Sequence, residues 1–489
     1  MSKRAIVLSL ALLVLGASAY TAADILEGMP HCQDEVAYLF QARVLAAGRL
    51  YLPSLPESVR GFFDHEFIVN NGKWYGKYTP GTSALMAVGE AAGVPWLVNP
   101  LLGAACVLLL HRLAERLFSR RTALLATSAF AVSPFTLLMS ASLMSHAPAL
   151  VATLTFLLGV LTPRAPVSPK VMAGRYRLAG VGIGLLFLIR PYNVLPVSLI
   201  GAVAVVDGLR TLAVDRRGRL SRLAHLVVPA GLLFLLGLGY NVALTGHPLR
   251  FPHQAYSRWD FIGFGERGVE WGREFSTNDA IDNLGDNADA LVKTLVAWPG
   301  ATLLLAAPLA FLGRHRWEAL VMLLLFGAQA LAYALYFHPG VYLGPRYWYE
   351  VSWVPLMLAA EGISVAVEWL AGRLSRRVIN TLLAVALIAF IGLSLREDWR
   401  LLPAYRGHNN MHRPDLPPLA TPALVFVPAG DSWQAYGRYF ALQSPFLDSE
   451  PVVFARHRAE HNVWENRAPV PNAILEGHFA DRHVYYLLD

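Results

Sequence analysis

Long apolar runs constrain this chain more than any other feature. LLGAACVLLL, GLLFLLGLG, TLLLAAPLAFL and TLLAVALIAFIGL contain no charged residue. Runs approaching ~20 residues of this kind cross a bilayer as helices. Lipid offers peptide groups no hydrogen-bond partner, so each crossing must pair its own backbone. A barrel would need polarity alternating along ~10-residue strands, and these runs do not alternate. The expected fold is a polytopic α-helical membrane protein of about eleven transmembrane helices, followed by a small α/β or α+β C-terminal domain outside the membrane.

Charged residues make up 15% of the 489, against ~25% in soluble chains. The net charge of +7 does not point to nucleic acid. Its Lys and Arg residues lie in short loops beside apolar runs, as the positive-inside rule requires, and the implied surroundings are membrane lipids. Cys32 and Cys106 are the only cysteines. Cys106 lies inside an apolar run, which argues against a disulfide framework or a cysteine metal site.

Loop charge sets the orientation. Lys3 and Arg4 precede the first apolar run. Taken as a retained anchor over 5–21, that run puts the N-terminus in the cytoplasm. Taken as a signal peptide ending at Ala17-Ser18-Ala19, it sends the next segment to the same side. The anchor is the expected reading. Further spans are expected at 95–117, 122–140, 147–163, 177–190, 192–211, 223–243, 292–313, 317–337, 347–371 and 378–396. The loops this makes cytoplasmic hold Arg116, Arg120 and Arg121; Arg164, Lys170, Arg175 and Arg177; Arg216, Arg217, Arg219 and Arg222; Arg314 and Arg316; Arg373, Arg376 and Arg377. All are basic, so one orientation satisfies every loop. The segment TPGTSALMAVGEAAG is expected to be interfacial or re-entrant, because a full crossing there would put RLFSRR outside. The membrane domain is then 1–396, with outer loops 22–94 and 244–290. The extracytoplasmic domain is 397–489, where ALVFVPA, PVVFAR and HVYYLL read as strands between turn residues.

The first outer loop opens with QDEVAYLFQARVLAAGRLY. Read as a helix, it carries an apolar stripe of Val36, Phe40, Val44 and Ala47, suited to the bilayer surface. A second, polar stripe holds Asp34, Tyr38 and Gln41. Glu35 points about 100° away from Asp34. One carboxylate could then reach a substrate as base while the other orients or pairs with a cation; the alternative is that both are first-turn acids stabilising the helix. Asp64, His65 and Glu66 have a metal site's composition but no further ligand at helical spacing, so a solvated turn is expected. Lys77, in YGKYTP, could snorkel or hold phosphate. His146 (MSHAP), Arg190 with Tyr192 (LIRPYN) and Arg346 (GPRYWY) fall at outer ends of spans, where ionisable groups are functional candidates. Local readings stand beside these: an interhelical hydrogen bond for His146, an ion pair or lipid headgroup for Arg190, aromatic-belt anchoring for Arg346. An acid pair and several cations at one membrane face suit a lipid-phosphate donor. Cations stabilise the leaving phosphate, and a carboxylate takes the acceptor's proton.

The order of these motifs resembles the GT-C superfamily of membrane glycosyltransferases. It is closest to the branch of protein O-mannosyltransferases, aminoarabinose lipid A transferases and RgtA/B/C/D-like proteins. The carrying segments are the Asp-Glu helix, GKYTPGTSALMAV, AVSPFTLLMSASLMSHAPAL, LIRPYNVLP, GYNVALTGHPLRFP and GPRYWYEVSWVPLMLAAEG, spread over roughly 5–395. The resemblance implies an inverting hexosyl- or pentosyltransferase of the bacterial inner membrane. It would move sugar from a polyprenyl-phosphate donor to a glycan, lipid or protein acceptor at the outer face. It implies Asp34 as catalytic acid group with Glu35 beside it, and Lys77, Arg190 and Arg346 on the donor phosphate. Tyr38, His146 and Tyr192 become further substrate contacts. No Asp-x-Asp occurs in the first outer loop. No metal ligand is therefore assigned, and a divalent cation stays open. A transporter or flippase of lipid-linked sugars and a non-catalytic assembly partner are the competing expectations. The first would call for internal repeats and midplane charges, and neither is seen in the sequence.

Overall fold

The computed structural model describes residues 2–161, 168–211, 216–268, 274–295, 301–428, 433–458 and 470–487. Arg164 of the expected cytoplasmic loops lies outside them. The chain is mainly helical. Among the described residues, seven helices are long and apolar enough to cross a membrane: Lys3–Ile25, Pro95–Leu117, Pro169–Ile189, Leu220–Thr245, Arg316–Ala334, Arg346–Leu370 and Arg377–Asn410. Counted as one span, the bent pair Arg120–Ala131 and Pro134–Ala141, broken by 58°, makes an eighth. The break falls where Pro134 cannot donate to the preceding turn. The segment expected at 147–163 forms His146–Val160, 15 residues or roughly 22 Å of helix, shorter than the ~30 Å hydrocarbon core. The segment expected at 292–313 includes residues outside the described set. The segment expected at 192–211 contributes Pro191–Val203, a further apolar helix shorter than these crossings. These three segments separate the count from the expected eleven. TPGTSALMAVGEAAG forms a 12-residue helix, Pro80–Ala91, too short to cross.

The membrane helices share one buried core, through Val14, Leu110, Phe130, Leu154, Leu186, Met322, Trp353 and Met357. The first helix packs along Val98–Leu117, and its Ser18 hydroxyl donates to the Leu137 carbonyl.

The segment 22–94 is more ordered than its sequence suggested. The helix Gln33–Ala46 is followed by a three-stranded antiparallel sheet in which Lys73–Gly76 lies between Leu52–Pro53 and Ile68–Asn71. Asn71-Gly72 makes the hairpin turn, with Gly72 at φ +75°, the left-handed region where glycine carries no Cβ penalty. At the strand's end, a Cβ on Gly76 would meet the Ala37 carbonyl oxygen at 2.8 Å. Only glycine lets the strand cross so close to the helix.

The C-terminal domain is α/β. Its parallel sheet has Ala423–Val427 in the centre, flanked by Val452–Arg456 and His483–Tyr486, the strands expected from sequence. This domain corrects one expectation. Val36, Phe40 and Val44 do not lie on a bilayer surface. They are buried in a common core with Leu424, Phe426, Tyr436, Phe440 and Phe454 of the tail, while Ala47 is exposed. An apolar stripe reports that a face is covered, not by what.

Candidate functional site

Asp34 occupies the first turn of Gln33–Ala46 and faces the membrane domain. Its Oδ1 accepts from the Tyr78 hydroxyl at 2.5 Å, and its Oδ2 from Arg346 Nη1 at 3.2 Å. Burial alone would raise its pKa. Arg346, Lys77 and the Tyr78 hydroxyl overcome that and hold the carboxyl at about 2. The group is ionised at any physiological pH.

Lys77 follows the hairpin strand and is buried. Its ammonium lies 3.5 Å from Asp260 Oδ2 and 3.6 Å from the centre of the Phe67 ring. Asp260 belongs to the segment 244–290, and its other oxygen accepts from the Tyr336 hydroxyl at 3.0 Å. The neighbouring His338 is pushed down to about 4 by burial and by Arg346, so it stays neutral. Asp34, Lys77 and Arg346 therefore converge, each cation already facing a carboxylate.

Glu35 is fully inside the protein. Its oxygens accept from the backbone N–H of His31 at 2.6 Å and of Leu143 at 3.0 Å. Burial outweighs these bonds and pushes its pKa up to about 7. The two adjacent acids are thus in different situations: Asp34 is charged among cations, and Glu35 ties the helix start to the turn before His146.

His146, Arg190 and Tyr192 gather behind this cluster. Glu350 Oε1 lies 3.1 Å from His146 Nδ1 and 3.5 Å from Arg190 Nε. Arg190 also donates to the Ser145 hydroxyl at 3.0 Å and to the Tyr333 hydroxyl at 2.7 Å. The Tyr192 hydroxyl donates to the Ala332 carbonyl. Both arginines border the Tyr347 ring, with the guanidinium carbons of Arg190 and Arg346 at 5.4 and 5.1 Å from its centroid. Tyr38 stacks on Tyr78 at 4.4 Å. Gln41, the last of the polar stripe, clips the loop through Leu50 and Gly76.

Sequence reasoning missed Tyr78, Asp260, Tyr336, Tyr347 and Glu350. Tyr78 and Tyr347 adjoin residues that were singled out, and Glu350 lies in the same segment as Arg346. Asp260 carried no local signal, since only folding brings it to Lys77. The Asp64-His65-Glu66 turn is not solvated throughout: His65 is buried and stacks on Phe440 at 5.0 Å. Among the described residues no group of three or more His, Cys, Asp or Glu side chains is placed to hold a metal ion.

No protein-family model matches the chain, and a comparison with curated proteins gives no match. Solved structures do match. ArnT from Cupriavidus metallidurans bound to undecaprenyl phosphate superposes with a TM-score of 0.58 at 15% identity, over 92% of this chain and 85% of that one. Its apo state gives 0.58 at 14%, over 96% and 90%. The chain shares the fold of these ArnT structures. The Archaeoglobus fulgidus oligosaccharyltransferase, in complex with Zn and sulfate, also matches, with a TM-score of 0.49 at 15% identity over 89% of this chain and 61% of that one. With its apolar helices, the chain is a multi-pass membrane protein.

Proposed function

We propose that this chain is a GT-C glycosyltransferase that moves a sugar from a polyprenyl-phosphate donor to an envelope glycan, lipid or protein acceptor at the outer face of a bacterial inner membrane, with inversion. The observation that carries the reading is the Asp34 carboxylate held between Tyr78 and Arg346 with Lys77 beside it. The fold is shared with a protein that binds undecaprenyl phosphate.

In this reading the acceptor hydroxyl attacks the anomeric carbon from the face opposite the phosphate. The carbon–oxygen bond to phosphate breaks, and its electron pair leaves with the polyprenyl phosphate. Asp34 takes the hydroxyl proton. Lys77 and Arg346 meet the charge that grows on the phosphate. A phosphate leaving group needs no general acid, unlike the alcohol of a glycosidase reaction. Arg346 must turn part of its guanidinium from Asp34 to the phosphate, which makes Asp34 a stronger base once the donor is bound. Arg190, engaged by Glu350, Ser145 and Tyr333, braces Tyr347 behind the phosphate site together with His146 and Tyr192. Glu35 holds the helix in place, and Tyr38 lines the wall beside Tyr78.

Asp34→Asn tests the reading. Membranes carrying it should accumulate a polyprenyl-phosphate sugar and lack one envelope sugar, as after deletion of the whole chain. Unchanged glycosylation would sink the assignment and leave the transporter or assembly-partner readings.

A further inference from the structure

The helix that carries Asp34 has two occupied faces. Asp34, Tyr38 and Ala42 follow at helical spacing, and Tyr38 and Ala42 pack with Met86 and Leu143 of the membrane domain. Val36, Phe40 and Val44 lie about 160° round the axis from that stripe and join the core of the C-terminal domain. Arg43 shares this second face. Its Nη1 donates to the carbonyls of Ala441 at 2.9 Å and Gln443 at 2.7 Å. These follow the tail helix Trp433–Phe440, where carbonyls lack helical partners and the dipole is negative. Its Nε lies 3.4 Å from Glu90 on Pro80–Ala91. The Phe440 ring stacks on Phe40 at 5.8 Å. The tail strand is joined as well, with Arg456 N–H donating to the Phe62 carbonyl at 3.0 Å.

The segment leading into the domain grips the other end of the same helix. Asn409 Nδ2 donates to the His31 carbonyl at 2.8 Å, and the Arg413 N–H donates to Glu27 Oε2 at 2.6 Å. A helix of 14 residues is marginal by itself in water. Packing on both faces therefore decides where its first turn sits.

We propose that the C-terminal domain is a buttress that sets the position of Asp34, with Arg43 and Phe440 as positioning residues. This rests on the reading of Asp34 as the base. A proton acceptor displaced by ~1 Å can cost about 100-fold in rate, so loss of the buttress acts on kcat. A domain that bound the acceptor would act on acceptor KM instead.

The test uses full-length protein in membranes with a polyprenyl-phosphate sugar, comparing Phe440→Ala, Phe440→Leu, Arg43→Gln and Asp34→Asn. Phe440→Ala and Arg43→Gln should lower kcat by about 100-fold, with both KM values within about threefold of the parent. Phe440→Leu should restore most of the loss. Amide hydrogen exchange should rise in residues 33–46 and stay unchanged in the spans. Arg43→Gln keeps the aromatic core intact, so it reports even where Phe440→Ala does not fold. Unchanged kcat in both variants beside an inactive Asp34→Asn overturns the buttress and leaves the base standing. A rise confined to acceptor KM overturns it in favour of an acceptor-binding domain. An active Asp34→Asn overturns the functional reading and the buttress with it.

Discussion

Arg346 donates to Asp34 across 312 positions of sequence, at 3.2 Å, with both side chains largely withdrawn from solvent. Removing one member of a buried pair strands the other's charge, which costs about 3–5 kcal/mol. Arg346→Ala should therefore lower the unfolding temperature as well as transfer. On the proposed function it also removes one donor to the departing phosphate, worth about 10²–10³-fold in turnover. Arg346→Lys keeps charge but not the planar fork and should fall between. Single-turnover transfer beside thermal unfolding separates the two effects. Equal transfer by all three proteins would remove Arg346 from the site.

Tyr78 acts on the same carboxylate from the other side. A hydrogen bond to a charged group is worth about 1.5–3 kcal/mol, or roughly one to two pH units, and this one favours the ionised form. Asp34 is held at about 2, below its ordinary value. Its contribution to stability is thus complete above the ordinary carboxylate range and is lost as pH falls through about 2. In the parent protein, Asp34 should impose no acid limb on transfer between about pH 5 and 8. Tyr78→Phe should move that limb upward by roughly one to two units. A pH–rate profile with no displacement would mean the bond does not tune the base.

Lys77 is paired with Asp260 and capped by Phe67. If it holds the donor phosphate, Lys77→Ala should raise donor KM at least about tenfold, the effect of ~1.4 kcal/mol of lost binding. Asp260→Asn frees the ammonium and should leave donor binding intact or tighter. Titration with undecaprenyl phosphate reads both. Weaker binding in Asp260→Asn than in Lys77→Ala would assign the phosphate contact elsewhere.

The membrane helices, the tail strands and the Asp34 helix were legible because each depends on local periodicity. Asp34, Lys77 and Arg346 were legible as types of residue at one expected membrane face. Their pairing was not, because Asp260 and Tyr78 become partners only through the hairpin and the segment 244–290. The hairpin itself had a signal in Asn71-Gly72, between Ile68–Asn71 and Lys73–Gly76. The destination of the Val36–Phe40–Val44 stripe had none. Amphipathicity is the same whether lipid or a folded domain covers the face, and the covering residues lie nearly 400 positions away, as Arg43 and Ala441 do.

Glu35 gives the sharpest separation between adjacent acids. Burial pushes it up to about 7 from an ordinary value of 4.5, so the folded protein binds its proton more tightly than the unfolded chain. Its contribution to stability is complete below about 4.5 and is lost as pH rises through about 7. Glu35→Gln keeps the shape and removes the titration. The amide has one carbonyl oxygen, so one of the His31 and Leu143 N–H groups loses its acceptor, a cost of about 1–3 kcal/mol. The variant should be less stable at pH 5, yet its stability should decline less between pH 5 and 7 than that of the parent. Transfer should survive in Glu35→Gln, while Asp34→Asn, one position away, should lose about 10²–10⁴-fold. Thermal unfolding at several pH values, set beside the two transfer rates, decides it. A dead Glu35→Gln with a parent-like melting curve would make Glu35 the reacting carboxylate and demote Asp34.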